Sequence, residues 1–275
     1  MDAAFTAFHR GGTGSPLVLV HGFTDTWRTW DLVLAELERD HDVLAPTLPC
    51  HAGAPSLDEP TLAAFADAVE DAMDHAGFAT ADIVGNSLGG YLALELAARG
   101  RARSALALAP AGGWPNDDPL GHQLHDFFLE LHASSVRAAP RAEQIMSTPE
   151  GRRKATQFVT VAYEHIPADL LVHQLVGTAE CDVPRILEFA IDPGWHLDAS
   201  RISCPVRIVW CRNDLVLPWP LAATRYQNEW ATDAEWVFMD GCGHLPQLDR
   251  PADTARLVRE WVATITDRAG RSTAR

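Results

Sequence analysis

A doubly wound α/β domain, with a mostly parallel sheet and one inserted helical segment, is what the order of apolar runs predicts. Three observations carry this expectation. Short continuous apolar runs such as residues 17–20 (LVLV) alternate with stretches of helical spacing, the pattern of strands buried on both faces and joined by crossover helices. A strand-like run at 83–84 breaks at Gly85-Asn86-Ser87-Leu88-Gly89 and continues as a helix-like run, which fits the G-x-S-x-G turn that holds a serine between a strand and a helix. Residues 112–198 then contain no strand-like run at all.

The chain of 275 residues, 47% hydrophobic, suffices for one large domain with a full core. Its formal net charge of −15 argues against nucleic acid or an anionic membrane as a standing partner. No basic stretch leading into an apolar run marks a secretory signal, and no run approaches the roughly 18 apolar residues of a membrane span. Five cysteines without C-x-x-C spacing suggest free thiols and a cytoplasmic setting. Lys154 is the single lysine among 22 basic residues.

In chain order, residues 4–9 alternate weakly as an edge strand, and 17–20 form a strand ending in His21-Gly22-Phe23. Helical spacing follows over 30–37, then a strand at 42–45 and a Pro/Gly-rich loop at 46–60. Residues 61–76 read as a helix closed by Gly77. The Ser87 turn comes next, followed by a strand at 103–109. Within 112–198, helices are expected around Leu120–Leu131 spacing, at 158–162, at 170–176 and at 186–191. The alternation resumes with a strand at 206–210, a helix at 221–230, a strand at 235–239 and a helix at 254–265; residues 267–275 are expected to fray. In a parallel sheet the reactive groups lie at the carboxyl ends of the strands, where His21, Ser87 and the loop at Pro110 all fall.

A serine hydroxyl is a poor nucleophile at neutral pH and needs a base, which in turn needs an orienting acid. Ser87, Asp214 and His244 occur on three such loops, in the chain order that accompanies this turn. His244 would take the serine proton and return it to a leaving group, and Asp214 would fix its tautomer. The backbone N–H groups of Leu88, at a helix N-terminus, and of Phe23 are the natural donors for an oxyanion. His21 reads as a structural member of the latter loop.

HGF after a strand, GNSLGG, W-C-R-N-D with Pro218, and GCGHLP with Pro251 together resemble the α/β-hydrolase superfamily over about residues 15–265. The wording is most similar to small cytoplasmic serine esterases, lipase-like enzymes and meta-cleavage C–C hydrolases. The resemblance implies an α/β-hydrolase fold with an eight-stranded sheet, one antiparallel edge, and a helical cap after the sixth strand. That divides the chain into a core (1–111 and 199–275) and a cap or lid (112–198). A serine at the turn looks unlike the haloalkane dehalogenases and epoxide hydrolases, which place Asp there. Three features depart from the family pattern. Thr47-Leu48-Pro49-Cys50-His51-Ala52-Gly53 stands where D-x-x-G-x-G is usual, Cys211 replaces a glycine before Asp214, and the HGFTDTW loop has fewer glycines than in C–C hydrolases.

Other residues admit two readings. No acid occurs in 109–114, so Asp117 and Asp118 are the nearest substitutes for Asp214. His122, His125 and His132 share one helix face but lack metal-site spacing, so a solvated face and no metal are expected. Trp27, Trp30 and Trp114 would line an acyl pocket or pack in the core. Cys211 and Cys242 read as buried thiols, with oxidation beside Asp214 and His244 as the alternative. The expected function is cofactor-independent serine hydrolysis of a carboxylic ester on a small to medium hydrophobic substrate. C–C bond hydrolysis, thioesterase or lactonase chemistry with the same residues is the alternative, and a non-catalytic ligand-binding protein the reading from another class.

Overall fold

The computed structural model describes residues 5–273. Seven strands form one sheet in the order β1-β3-β2-β4-β5-β6-β7: β1 Phe8–Gly11, β2 Ser15–Val20, β3 His41–Pro46, β4 Ala81–Asn86, β5 Ala102–Leu108, β6 Val206–Cys211 and β7 Glu235–Met239. Only β1 runs antiparallel, against β3; the pairs from β2 through β7 are parallel. The expected eight strands are therefore seven among the described residues. Ala4, the first residue of the expected edge strand, lies outside them, as do residues 274–275.

Alternate side chains of each central strand serve opposite faces. Leu17 and Leu19 pack with Val84, Leu106 and Val209 beneath α1 (Asp31–Leu37) and α10 (Pro251–Thr273). Val18 and Val20 pack with Ile83, Ala105 and Ile208 beneath α2 (Leu62–Ala76) and α3 (Leu88–Ala98). α2 has the expected limits because Thr61 caps it through its hydroxyl and Gly77 leaves it in the left-handed conformation at φ +80°. The chain folds back from β2 to β3, then crosses to β4 on the other side of β2. The loops after β2 and β4 thus flank the point where the winding reverses, the position at which open sheets place ligands.

Between β5 and β6 the chain leaves the sheet. α4 (Leu120–Ala138), α5 (Ala142–Met146), α6 (Pro149–Thr156), α7 (Ala168–Glu180) and α8 (Val183–Ile186) fill this segment. The helix expected at 158–162 is absent. The backbone N–H groups of Val161 and Ala162 donate instead to the Asp249 carboxylate, both at 2.8 Å, so they are not available to a helical ladder. The helix of this stretch ends at Thr156, about two turns earlier, and is started by Thr148 as N-cap and Pro149 at its first position. The expected helix at 221–230 is a 3-10 turn, Leu221–Ala223, running into a π-helical turn, Tyr226–Trp230. The last helix does not fray at 267: it continues to Thr273, since a lone Gly270 costs a helix only about 1 kcal/mol.

Candidate active site

Ser87 occupies the turn from β4 to α3 with φ +56° and ψ −118°, a region that non-glycine residues adopt only when the surroundings impose it. The imposition is visible. The Ser87 N–H donates to the Leu108 carbonyl at 2.9 Å, and the Ser87 carbonyl accepts from Tyr91 and Ala111 at 3.0 Å each. A Cβ at Gly85 would run into the Gly89 backbone, and one at Gly89 into the Val20 and His21 carbonyls. Both positions therefore require glycine. α3 begins at Leu88, so the Leu88 N–H has no intrahelical acceptor and sits at the positive end of the helix dipole.

Asp214 and His244 are brought together from the loops after β6 and β7. His244 Nδ1 and Asp214 Oδ2 lie 2.7 Å apart. Asp214 Oδ1 accepts the N–H groups of Val216 and Leu217 at 2.9 and 2.8 Å. The carboxylate side chain is fully buried and the imidazole almost so. With one oxygen held by backbone donors, the other is left to take the ring N–H, which turns Nε2 outward as the acceptor. Asp117 and Asp118 take no part; Asp118 accepts the Leu120 N–H at 2.9 Å, at the start of α4.

His244 and Ser87 line the same cavity of about 520 Å³, together with Gly22, Phe23, Thr24 and Asp25 of the loop after β2. Gly22 packs on the serine: a Cβ there would stand 3.2 Å from Ser87 Cβ. The opposite wall comes from the segment between β5 and β6, with Phe127, Phe128, Leu131, Phe158 and Leu171 supplying apolar surface. Lys154 also lines it and is itself exposed. A larger cleft of about 770 Å³ lies between α5 and α7, but Ser87, Asp214 and His244 do not border it.

His21 is a fastener and not a base. Its Nε2 accepts the Leu48 N–H at 2.9 Å, so the ring proton sits on Nδ1 and goes to the Gly22 carbonyl at 2.7 Å. Burial drives its pKa well below the usual histidine value, with His51 alongside adding to the effect. The neutral ring thus ties the Phe23 loop to the unusual loop at 47–53. In that loop Thr47 Oγ1 accepts the Trp27 N–H at 3.3 Å.

Trp27 and Trp114 do not border the cavity. Trp27 stacks on His9 and donates its indole N–H to Thr6 at 2.8 Å. Trp114 packs edge-on against Trp195, and Trp30 is wholly buried in the core. The histidines of α4 are scattered in use: His125 pairs with Asp192 and His132 bonds the Ala179 carbonyl. Among the described residues no cluster of three or more His, Cys, Asp or Glu could hold a metal ion, and no helix is long and apolar enough to cross a membrane. The Cys211 and Cys242 sulfurs lie 3.1 Å apart, as free thiols.

Several residues that sequence reasoning passed over hold this arrangement. Asn86 Nδ2 donates to the carbonyls of Leu108 and His244, 3.1 Å each, and so clamps the His244 loop to the turn. Gln247 bridges Asn86 Oδ1 and Thr29. Asp249 takes the Gly243 N–H at 2.6 Å along with those of Val161 and Ala162. Asp25 accepts from Thr26 and Gln174. Of these, Asn86 carried a signal, being the one amide inside an apolar strand next to the serine. The others are polar residues in loops and short helices, with no local mark.

Fold and site together define the class: residues 17–257 match the alpha/beta hydrolase family, and the chain belongs to it. It is similar to epoxide hydrolase EphH of Mycobacterium tuberculosis, 28% identical over 202 residues, covering 73% of this chain and 94% of that protein. It is similar to the pimeloyl-[acyl-carrier protein] methyl ester esterase of Aromatoleum aromaticum, 28% identical over 262 residues, 90% of this chain and 97% of that one. Among solved structures, a serine hydrolase involved in carbazole degradation superposes with a TM-score of 0.72 at 18% identity, covering 94% of each chain. A thermophilic esterase from Thermogutta terrifontis does so with a TM-score of 0.63 at 21% identity, over 94% and 93%.

Proposed function

We propose that the protein is a cofactor-independent serine hydrolase that cleaves a carboxylic ester of a small to medium hydrophobic substrate. The observation that carries this reading is the Asp214–His244 pair opening, with Ser87 on its strained turn, onto one largely apolar cavity. In the proposed cycle His244 Nε2 takes the Ser87 proton as Oγ attacks the ester carbonyl. Phe23 and Leu88 N–H groups receive the oxyanion, and the imidazolium, steadied by Asp214, returns the proton to the departing alkoxide. His244 then deprotonates water, which releases the acid from Ser87. Residues 112–198 act as a cap, whose phenylalanines and leucines hold the hydrophobic part of the substrate. The protein works on a soluble small molecule, in the cytoplasm, without metal or cofactor.

The similarity to an esterase supports this reading. The similarity to an epoxide hydrolase carries less weight because of the residue at the turn. A serine oxygen opening an epoxide would leave an ether, and ethers offer no carbonyl for water to attack. The test is turnover of p-nitrophenyl esters of graded acyl length by wild type and Ser87→Ala. The variant is expected to lose at least about three orders of magnitude in kcat, and a fluorophosphonate probe to label wild type alone. Equal activity in the two proteins would remove Ser87 from the chemistry.

A further inference from the structure

One carboxyl group in the cavity wall is left unused by the steps above. Asp25 lies two residues beyond Phe23 and is buried apart from the face it shows to the cavity. Its protein partners are all donors. The Thr26 N–H reaches Oδ1 at 2.8 Å and Gln174 Nε2, from α7, reaches Oδ2 at 3.2 Å. The Thr29 hydroxyl, which accepts from Gln247 at 3.0 Å, stands nearby and favours the ionised carboxylate. Among the described residues Asp25 forms no ion pair, and the other acid closest to it in charge, Asp31, repels it. An ionised carboxylate offers about four acceptor sites. The two hydrogen bonds from Thr26 and Gln174 leave acceptor capacity over, on a residue that lines the cavity. Burial still pushes the carboxyl up to about 6, as expected of an acceptor whose protein partners do not fully replace water.

The cavity wall mixes polar and apolar surface. Thr24, Asp25, Gln174 and Thr178 gather where the loop after β2 meets α7, while Phe127, Phe128, Phe158 and Leu171 add apolar wall to the same cavity. An ester with a plain hydrocarbon acyl group would cover Asp25 and give its remaining site nothing, which is costly for a desolvated carboxylate. Gly22 packs on Ser87, and the Asp25 N–H donates to the Gly22 carbonyl at 3.3 Å, a turn that keeps the two Cα atoms within about 7 Å. A donor satisfying Asp25 therefore sits only a few carbons from the reacting carbonyl.

We propose that Asp25 is a specificity-determining acceptor, which selects substrates carrying a hydroxyl or ammonium group on the acyl chain. The proposal rests on the esterase reading only for where the carbonyl lies. It is tested by calorimetric binding to Ser87→Ala protein, which cannot turn the ligand over. The ligands are methyl esters of linear acids with a hydroxyl, or an ammonium, placed in turn on the β- to ε-carbon, each against its unsubstituted counterpart. At one position the donor-bearing ester binds at least about tenfold tighter, and the isosteric Asp25→Asn change in the same background brings the ratio to within about twofold. The hydroxyl and ammonium arms separate a neutral from a cationic substrate. A ratio near one at every position with Asp25 intact, or a preference that survives Asp25→Asn, overturns the assignment. The first of these results stands even where the Asn variant fails to fold. Wild-type kcat/KM on the same esters separates the two readings. Preference in binding without ester turnover sinks ester hydrolysis and keeps Asp25; normal turnover without preference sinks Asp25 alone.

Discussion

Replacing His51 by phenylalanine should make the protein markedly less sensitive to acid. His51 is 2% exposed, and its ring stands edge-on to those of His21, Phe23 and Phe65 at 4.9, 6.0 and 6.1 Å. Nδ1 and the Pro49 carbonyl are 3.0 Å apart, while Nε2 is buried without a partner. Burial lowers its pKa from 6.5 to about 4. A folded-state pKa below the unfolded one favours the neutral ring, so this stability is full above about 6.5 and is lost as pH falls towards 4. The shift of 6.5 − 4 = 2.5 is worth about 3.4 kcal/mol in total at 1.36 kcal/mol per unit, and about 2 kcal/mol of it is gone at pH 5. His51→Phe keeps an aromatic ring against Phe23 and Phe65 and removes the proton. It also forfeits the Pro49 bond, a loss of about 1 kcal/mol that does not vary with pH. The assay is urea unfolding of both proteins at pH 8 and pH 5. The variant's stability relative to wild type is expected to improve by about 2 kcal/mol at the lower pH. His21 is present in both proteins, so the comparison isolates His51. Parallel pH dependences for the two proteins would refute the reasoning.

Asp25→Asn should tilt the same measurement the other way. The Asp25 pKa rises from 3.8 to about 6 on folding, so its contribution is full below 3.8 and lost as pH rises through 6; the variant should fare worse relative to wild type by about 1.4 kcal/mol more at pH 5 than at pH 8, and an unchanged difference would contradict the burial argument. Asp249→Asn turns one N–H towards the three backbone donors of Gly243, Val161 and Ala162. Urea unfolding should show a loss on the order of 3 kcal/mol, with reduced kcat because Gly243 precedes His244, and a variant matching wild type in both would remove Asp249 from its positioning role. Burial raises the Cys50 and Cys181 thiols and pushes Cys204 to about 11, contact with Cys242 and then burial raise Cys211, and Cys242 is fully buried. Since the thiolate is the reactive form, a thiol-specific chromogenic disulfide should titrate no cysteine in the native protein at pH 8 and five after unfolding; rapid native labelling, or a Cys211–Cys242 disulfide in protein kept in air, would show that contact outweighs burial.

The features that local chemistry dictates were legible in the sequence. Residues 17–20, 42–45 and 206–210 read as buried strands because both of their faces are covered, and the structure has strands there. Thr61 and Gly77 bound α2 as a hydroxyl cap and a left-handed glycine should. Asp214 and His244 meet because parallel strands present their following loops at one edge. The errors share a cause. Phe158 to Ala162 looked helical from its apolar spacing, but Asp249, almost ninety residues further on, takes its backbone donors. Trp27 and Trp114 looked like pocket walls because large aromatics near a reactive loop often are. Trp27 found His9 and Thr6 instead, and Trp114 found Trp195.

The same distinction explains why the polar scaffold went unseen. Asn86, Gln247 and Thr29 form one run of hydrogen bonds from the serine turn, and Asp25 and Gln174, close to Thr29, form another that reaches α7. Their five positions come from four separate stretches of chain, and none stands at a spacing that periodicity detects. Four of them are buried and Gln174 is half-buried, so most of their polar atoms must be paired inside the fold, Gln247 Oε1 excepted. Once Asn86 is set beside Ser87 and donates to the His244 carbonyl, its Oδ1 needs a donor. Gln247 supplies it and passes its other N–H to Thr29, whose hydroxyl stands near Asp25. Only the last member borders both the cavity and the segment above it. Hydrogen-bond accounting, carried outward from the serine, therefore arrives at the one cavity-wall carboxylate with an acceptor site to spare, which is why substrate selection is assigned to Asp25 and not to the tryptophans.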